Sequence, residues 1–371
     1  MIKYETIETY DRFRELEQPW NELLTGNPLE DSFMRHEWFD GWIRSRGVPD
    51  YPICIVTGWR DGQLVSIAPL QRQKTKMKSV PVKTLSFLQS TISPRCNFIT
   101  TSGDELEGLL DTIRGLGQWD LLVAENIEEK QPATKGFLSY LQENQLAHNI
   151  ADGFQAPYLD ISGTWEEHLE SMSGKRRRFI RRECIRKLES AEDYSFELIT
   201  SPADWDRTLK AMLEVSGRSW KADNGTAIGQ VQGAIDFYTM FTPVALERDM
   251  VRIWLLKING QYAGFDYYLH WKTSNTGVRS DYDKDFAFYH PGENLKLAIL
   301  KNLFDEGRLC QFDFGGVPSN YKTKWAREIR RHLTVTVPRG NLLGKAIMLW
   351  KNRLAPMFSR PEVPEEEESV T

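Results

Sequence analysis

The chain has 371 residues, a length that predicts two or three domains at about 150 residues each. Hydrophobic residues make up 40% of the chain and charged residues 27%, which excludes a wholly disordered protein. The formal net charge of −5 argues against a globally basic nucleic-acid binder, so we expect no DNA partner. The charge is uneven, because residues 175–187 (KRRRFIRRECIRK) carry a net +7 inside a remainder that sums to −12.

The sequence also bounds location and cofactors. The first residues, MIKYETIETYDRF, are charged and contain no apolar stretch, so we expect no signal peptide. No apolar run approaches the ~20 residues that a membrane-spanning helix needs. The four cysteines are far apart and there are only six histidines, so neither a disulfide framework nor a metal site is expected. These features predict a cytoplasmic protein.

In the first half, helices and strands alternate. Helical spacing of apolar residues predicts helices at 8–24, 35–46, 104–115 and 131–147. Strands are predicted at 52–59, 63–70 and 119–124, with Asp61-Gly62 forming a two-residue hairpin turn between the first two. Residues 71–83 are basic and poor in large apolar side chains, which favours a loop.

The second half repeats this plan. Strands are predicted at 194–200, 251–258, 261–271, 277–283 and 310–314, and helices at 203–218, 229–248 and 291–306. Asn259-Gly260 predicts a second hairpin turn, at a position similar to that of the first. The two hairpins suggest two copies of one α+β unit.

These elements define the expected domain boundaries. We predict an N-terminal unit at 1–160, connecting helices with the basic segment at 161–190, and a C-terminal catalytic unit at 191–340. Residues 341–358 are basic and amphipathic, which predicts a helix that packs on its own domain or touches a membrane surface peripherally. Residues 359–371 are rich in Pro and Glu and predict disorder.

The basic segment has two interpretations. Ile180, Cys184 and Leu188 form an apolar stripe at helical spacing, and Arg177 and Arg181 lie at its border. The segment is either a solvated helix face or a site for an anion, which arginine binds well through its planar fork of donors.

A second candidate is the segment FYHPGEN at 288–294. Pro291 suits the first position of a helix, and the free N–H groups that follow could bind a phosphate. Glu293 places a negative charge in the same turn, and it could instead be a capping residue.

Carboxylates within strand patterns are a third candidate. Asp281 and Asp313 lie beside aromatic residues, where each needs a partner or a raised pKa. Either could be a general base, or a structural carboxylate bonded to backbone N–H or to Arg279. Asp313 precedes two glycines that permit close approach of a ligand. Tyr321-Lys322 could add a proton donor and a cation.

Several segments resemble, in order, the CelD-type acyltransferases: 31–42 (DSFMRHEWFDGW), 64–70, 158–189, 280–302 and 312–325. That family belongs to the GNAT superfamily, is associated with polysaccharide biosynthesis and is related to the FemAB-type aminoacyl transferases. The resemblance implies an α/β fold of mixed sheets with two tandem GNAT-like acyl-CoA N-acyltransferase units. It implies transfer of an acyl group from a thioester to a small-molecule amine by direct attack, without metal.

The resemblance also implies roles for the candidate residues. The proton of the amine is relayed by Asp313 or Asp281, and Tyr321 protonates the leaving group. His290 and Gly292 lie at the phosphate site of a donor such as acyl-CoA, and Arg177, Arg181 and Lys322 hold anionic parts of the donor or of the acceptor.

One departure leaves the donor open. GNAT enzymes carry [QR]xxGx[GA] at the pyrophosphate-binding turn, whereas this chain has AFYHPGEN with a single glycine. The donor is therefore acyl-CoA, an acyl carrier protein or, as in FemAB-type relatives, aminoacyl-tRNA. A non-catalytic accessory protein of polysaccharide or envelope assembly is the alternative to an enzyme.

Overall fold

The computed structural model describes residues 1–48, 51–77, 80–88, 95–308, 310–316, 320–326 and 328–340. The predicted helix at 341–358 and the tail at 359–371 lie outside these residues. The strands are β1 (Ile2–Ile7), β2 (Ile55–Arg60), β3 (Gln63–Ala68), β4 (Leu70–Met77), β5 (Val80–Phe87), β6 (Ile99–Thr100), β7 (Leu121–Glu128), β8 (Asn149–Ile161), β9 (Tyr194–Ile199), β10 (Val251–Ile258), β11 (Gln261–Trp271), β12 (Ser274–Tyr282), β13 (Cys310–Asp313) and β14 (Glu328–Pro338).

The helices are α1 (Tyr10–Arg14), α2 (Glu17–Leu24), α3 (His36–Ser45), α4 (Gly103–Gly115), α5 (Pro132–Glu143), α6 (Trp165–Glu170), α7 (Gly174–Phe179), α8 (Arg186–Leu188), α9 (Trp205–Arg218), α10 (Trp220–Asp223), α11 (Ala234–Glu247), α12 (Pro291–Asp305) and α13 (Asn320–Thr323). A π-helical segment, Ile180–Ile185, joins α7 to α8, so the basic segment is one continuous helix. Short 3₁₀ turns cover Pro202–Asp204, Ile228–Gln230 and Lys284–Tyr289.

The described strands form one sheet of ten and a smaller sheet of four. The large sheet has the order β4-β5-β7-β14-β8-β13-β12-β11-β10-β9, and the small one β1-β2-β3-β6. Strand β14 lies near the end of the predicted C-terminal unit but pairs with β7 and β8 of the first half. Strand β8 pairs in turn with β13. The two halves therefore share one continuous sheet.

Both predicted hairpins are confirmed. Strands β2 and β3 are antiparallel neighbours, as are β10 and β11. The turn residues Asp61-Gly62 and Asn259-Gly260 all have φ between 50° and 80°. Two successive residues in this left-handed region are what a tight hairpin turn requires, and Asp, Asn and Gly adopt it most easily.

The loop predicted at 71–83 is wrong. Residues 71–77 and 80–83 belong to the antiparallel strands β4 and β5 at the edge of the large sheet. Gln73, Lys74, Thr75 and Lys76 are exposed, so the strand lacks the apolar alternation that reveals a half-buried strand. Lysines on an edge strand discourage pairing with other chains. The helix predicted at 8–24 is also divided, into α1 and α2.

The basic helix packs on the second half through the predicted stripe. Ile180, Cys184 and Leu188 are at most 3% exposed and join a core beneath α12. A separate, larger core fills the first half and the space around α9 and α11. Among the described residues, no helix is long and apolar enough to cross a membrane. The same residues contain no group of three His, Cys, Asp or Glu arranged to hold a metal ion.

Candidate active site

The candidate active site lies where two parallel strands of the second half separate. Strands β12 and β13 pair only over residues 274–276 and 311–313. Gly315, with φ of 64°, then lies so close to Gly277 that a Cβ on Gly315 would be 2.2 Å from the Gly277 oxygen. Beyond this contact, residues 278–282 of β12 have no strand partner on that edge within the described ranges. The separation opens backbone groups of β12 to a ligand.

The first turn of α12 lies beside this opening. His290 adopts a left-handed conformation (φ 49°, ψ 56°), and Pro291 begins the helix. The N–H groups of Gly292 and Glu293 have no acceptor within the helix, as in the first turn of every α-helix. Gly292 is near Tyr282 at the end of β12, because a Cβ on Gly292 would be 3.9 Å from that ring. The turn thus offers N–H donors and a positive dipole end to an anion.

Glu293 is paired with an arginine rather than acting as a helix cap. The two guanidinium NH groups of Arg176 donate to its carboxylate oxygens at 2.6 and 3.1 Å. Arg176 is 9% exposed and lies over the Trp325 ring at 4.4 Å. Its charge offsets the carboxylate in the first turn of α12, so that turn remains compatible with an anion.

Arg176 is a residue that the sequence reasoning missed. It lies four residues before Ile180 and so extends the buried stripe by one helical turn. The four-residue spacing from Ile180 is the sequence signal that could have identified Arg176 as a buried residue. Arg177 and Arg181, which we placed at the stripe's border, are exposed. The full set of exposed cations on this helix is Lys175, Arg177, Arg178, Arg181, Arg182 and Arg186.

Tyr321 and Lys322 fasten the segment after β13 to the same place. The Tyr321 hydroxyl donates to the Gly292 carbonyl at 3.0 Å, and burial raises its pKa well above the usual value of 10. The Lys322 ammonium donates to the Gly315 carbonyl at 2.5 Å. The structure therefore brings Tyr321 to Gly292 and Lys322 to Gly315 at the opening.

His290 lies at the edge of this group. Its ring is 5.4 Å from the Phe179 ring, in an edge-to-face arrangement. Burial, together with the nearby charge of Lys187, lowers the pKa of His290 below 6.5. The imidazole is therefore neutral at pH 7, and one of its ring nitrogens can donate a hydrogen bond while the other accepts one.

Asp281 lies on the opposite face of the sheet from α12. Neighbouring residues of a strand point to opposite faces, and Tyr282 points toward Gly292. Asp281 contacts the Lys221 ammonium at 2.6 Å and the Arg279 guanidinium at 2.8 Å. These two cations outweigh the effect of burial and lower the pKa of Asp281, whereas burial lowers the pKa of Lys221.

Asp313 is the last paired residue of β13 and is 2% exposed. One oxygen accepts from the Gly315 backbone N–H at 2.8 Å. The other contacts Arg330 and, at 3.4 Å, Arg95. Asp313 thus holds the start of the glycine pair and belongs to an ion-pair cluster, away from both Tyr321 and Asp281.

Comparisons with known proteins identify a domain family in this part of the chain. Residues 174–323, from the start of α7 to the end of α13, match the acetyltransferase (GNAT) domain family. None of the curated proteins searched matches the sequence.

Solved structures show the fold at low sequence identity. The crystal structure of FemX is similar with a TM-score of 0.63 and 12% identity, over 93% of this chain and 100% of FemX. The C-terminal domain of a putative lysylphosphatidylglycerol synthetase from Agrobacterium fabrum is similar with a TM-score of 0.53 and 11% identity, over 92% and 96% of the two chains. L-PGS from Bacillus licheniformis has a TM-score of 0.50 and 14% identity, over 91% and 96%. The expected mixed α/β fold is confirmed, with a GNAT-like unit over residues 174–323.

Proposed function

We propose that the protein is an N-acyltransferase that moves an acyl group from a thioester donor to an amine. The amine nitrogen attacks the thioester carbonyl, a C–N bond forms, and the C–S bond breaks. The amine loses one proton, and the thiolate that leaves gains one. Such a reaction needs positioning, proton transfer and stabilisation of the oxyanion, but no nucleophilic Ser or Cys.

The observation that carries the proposal is the first turn of α12 beside the separated strands, inside the segment that matches the GNAT domain. The N–H groups of Gly292 and Glu293 bind the anionic part of the donor, and Arg176 keeps Glu293 from repelling it. His290 contributes a neutral hydrogen-bonding ring at the same place. Acyl-CoA fits this arrangement because its diphosphate is the kind of anion that a helix N-terminus binds.

Proton transfer is assigned to groups on both faces of the sheet. The raised pKa of Tyr321 keeps its hydroxyl protonated at neutral pH, so it can donate a proton to the thiolate. Asp281 and Asp313 remain the candidates for relaying the amine proton. Lys221 and Arg279 lower the pKa of Asp281, so its carboxylate is ionised and can accept a hydrogen bond from the amine as the relay begins. Asp313 pairs with Arg330 and Arg95. Lys322 positions the glycine pair through Gly315.

A second donor, aminoacyl-tRNA, is favoured by the charge of the basic helix. Six of its cations, including Arg177 and Arg181, are exposed on the outer surface beside the donor site. Lysines and arginines on one helix face are typical of surfaces that bind a phosphate backbone or an acidic acyl carrier protein. The resemblance to CelD-type proteins favours an acceptor from polysaccharide biosynthesis in the cytoplasm.

The test is release of thiol from a panel of acyl-CoA and acyl carrier protein donors, followed with a thiol reagent. Aminoacyl-tRNA deacylation is measured in parallel with labelled amino acids. We expect amine-dependent turnover with one donor class, and Tyr321→Phe to lower kcat about 100-fold with little change in KM. Tyr194→Phe, on the exposed strand β9, is the matched control and should keep wild-type kcat. Absence of turnover with all three donor classes would overturn the proposal and favour a non-catalytic accessory protein.

A further inference from the structure

A cavity of about 660 Å³ lies away from the donor site, where the two halves meet. Its wall combines residues 28–31, 34, 95–97 and the end of β7 from the first half with the ends or beginnings of β8, β12 and β13. Arg330 of β14 completes it. The volume is within the range of about 300–1,000 Å³ that is typical of small-molecule sites. The candidate active site does not use this cavity.

The cavity is lined by more negative than positive charge. Its six charged lining residues are four carboxylates and two guanidinium groups, a net charge of −2: Glu30, Asp31, Glu128, Asp160, Arg95 and Arg330. All but Asp160 have side chains between 12% and 18% exposed, so they face a partly desolvated space in which charge is weakly screened. The imbalance favours a cationic ligand.

Both arginines already serve carboxylates of the protein. Arg330 pairs with Asp313 and contacts Glu128 at 3.4 Å. Arg95 contacts Asp313 at 3.4 Å and Asp31 at 3.5 Å. An incoming phosphate would have to compete with three carboxylates for these two groups. The two arginines are therefore occupied by ion pairs within the protein and do not form an anion site.

Among the carboxylates, Glu30 pairs with Lys272 at 2.6 Å. With Lys272 and the Asp313 that both arginines contact included, five carboxylates still face three cations, a net charge of −2. Asp160 accepts a hydrogen bond from the neutral Gln311 amide at 2.7 Å. Asp31 accepts from the backbone N–H groups of Phe33 and Met34, yet burial raises its pKa in spite of Arg95. A cation in the cavity would offset the net negative charge of the lining groups.

We infer that the cavity binds a cationic group of the acyl acceptor, and that the acceptor carries at least two basic nitrogens. The inference rests on the proposed function. The nitrogen that attacks the thioester must be neutral, so the nitrogen held by the carboxylates is a different one. Gln311 lines the cavity, and Gly315, four residues later in the chain, marks the opening. The acceptor is therefore an extended molecule such as an alkyl polyamine.

The first experiment measures binding without any donor. Spermidine is titrated into the full-length protein by calorimetry, with inorganic pyrophosphate as the anionic comparison. We expect spermidine to bind and pyrophosphate not to compete with it. The double variant Asp160→Asn/Glu128→Gln removes two charges but keeps the hydrogen-bonding atoms, and should weaken spermidine binding at least tenfold. Ser162→Trp, at an exposed lining position, narrows the cavity without changing charge and should also weaken binding.

The matched control is Asp305→Asn, which removes an exposed carboxylate paired with Lys301 on α12, far from the cavity. It should bind spermidine as the wild type does. The inference is overturned if spermidine does not bind, or if it binds both cavity variants as tightly as the wild type. It is also overturned if pyrophosphate binds and Arg95→Gln abolishes that binding. Amine-dependent thiol release with an unaltered acceptor KM in the cavity variants would reject the cavity while the proposed function stands. Spermidine binding without any acyl transfer would reject the proposed function alone.

Discussion

The pair formed by Arg176 and Glu293 offers the sharpest test of the donor site, because its two members affect stability and anion binding differently. Their side chains are 9% and 12% exposed, and two hydrogen bonds join them. Removal of one member of a buried ion pair costs about 3–5 kcal/mol, since the other charge is left uncompensated. We expect Arg176→Met and Glu293→Gln each to lower the free energy of unfolding, the latter less because an amide keeps a hydrogen bond.

Anion binding should change in opposite directions. Arg176→Met leaves a bare carboxylate in the first turn of α12, where a charge contributes about 0.5–2 kcal/mol. That energy corresponds to a donor KM about 2-fold to 30-fold higher. Glu293→Gln removes the carboxylate and leaves the arginine, so the donor KM should stay the same or fall.

The assay combines urea unfolding followed by circular dichroism with initial rates over a range of donor concentrations. The double variant Arg176→Met/Glu293→Gln is the control, and it should recover much of the lost stability because no unpaired charge remains. If Arg176→Met and Glu293→Gln shift the donor KM in the same direction, the anion does not bind at this helix turn. If Arg176→Met is as stable as the wild type, that result contradicts the burial of the pair that the structure shows.

Three further predictions follow from other contacts. Asp281→Asn should destabilise the protein at pH 7, and the difference in stability from wild type should shrink below pH 4. The native pKa of Asp281 is lowered, so the stabilisation by its carboxylate is lost on acidification. Urea titrations from pH 7 to pH 3 measure this difference, and a difference that stays constant contradicts the prediction. Burial lowers the pKa of His332 to about 4. The wild type should therefore lose roughly 3 kcal/mol of stability as the pH falls from 6.5 to 4, because the unfolded chain binds a proton that the folded protein does not. His332→Gln should remove most of that loss in thermal melts. Gly315→Ala should abolish transfer, since a Cβ there would be 2.2 Å from the Gly277 oxygen; full activity would show that the close strand contact is not needed.

The sequence predicted the elements well wherever local signals and burial agree. The two hairpin turns follow from Asp61-Gly62 and Asn259-Gly260, whose residues tolerate the backbone that such turns impose. The buried stripe from Ile180 to Leu188 follows from helical spacing alone. The hairpin of β4 and β5 could not be found this way, because its exposed, lysine-rich surface has no apolar alternation.

The candidate site was only partly within reach of the sequence. Gly292, Tyr321 and Lys322 are close in the chain to recognisable segments, and the structure joins them. The partners of Asp281 and Asp313 come from distant segments, since Lys221 precedes Asp281 by 60 residues and Arg95 lies in the other half. Such pairings depend on tertiary packing, and no local pattern announces them.

The place of β14 has a consequence for how the chain acquires its structure. This strand lies between β7 and β8, so the sheet of the first half stays open until residue 338 has been made. Strand β8 needs β14 on one side and β13 on the other. The segment that matches the GNAT domain, 174–323, contains neither β8 nor β14. If that segment were expressed alone, the edge of β13 would be exposed. In the whole chain, the contacts of β14 with β7 and β8 join residues that are far apart in sequence, which predicts slow folding of the two halves as a single cooperative unit.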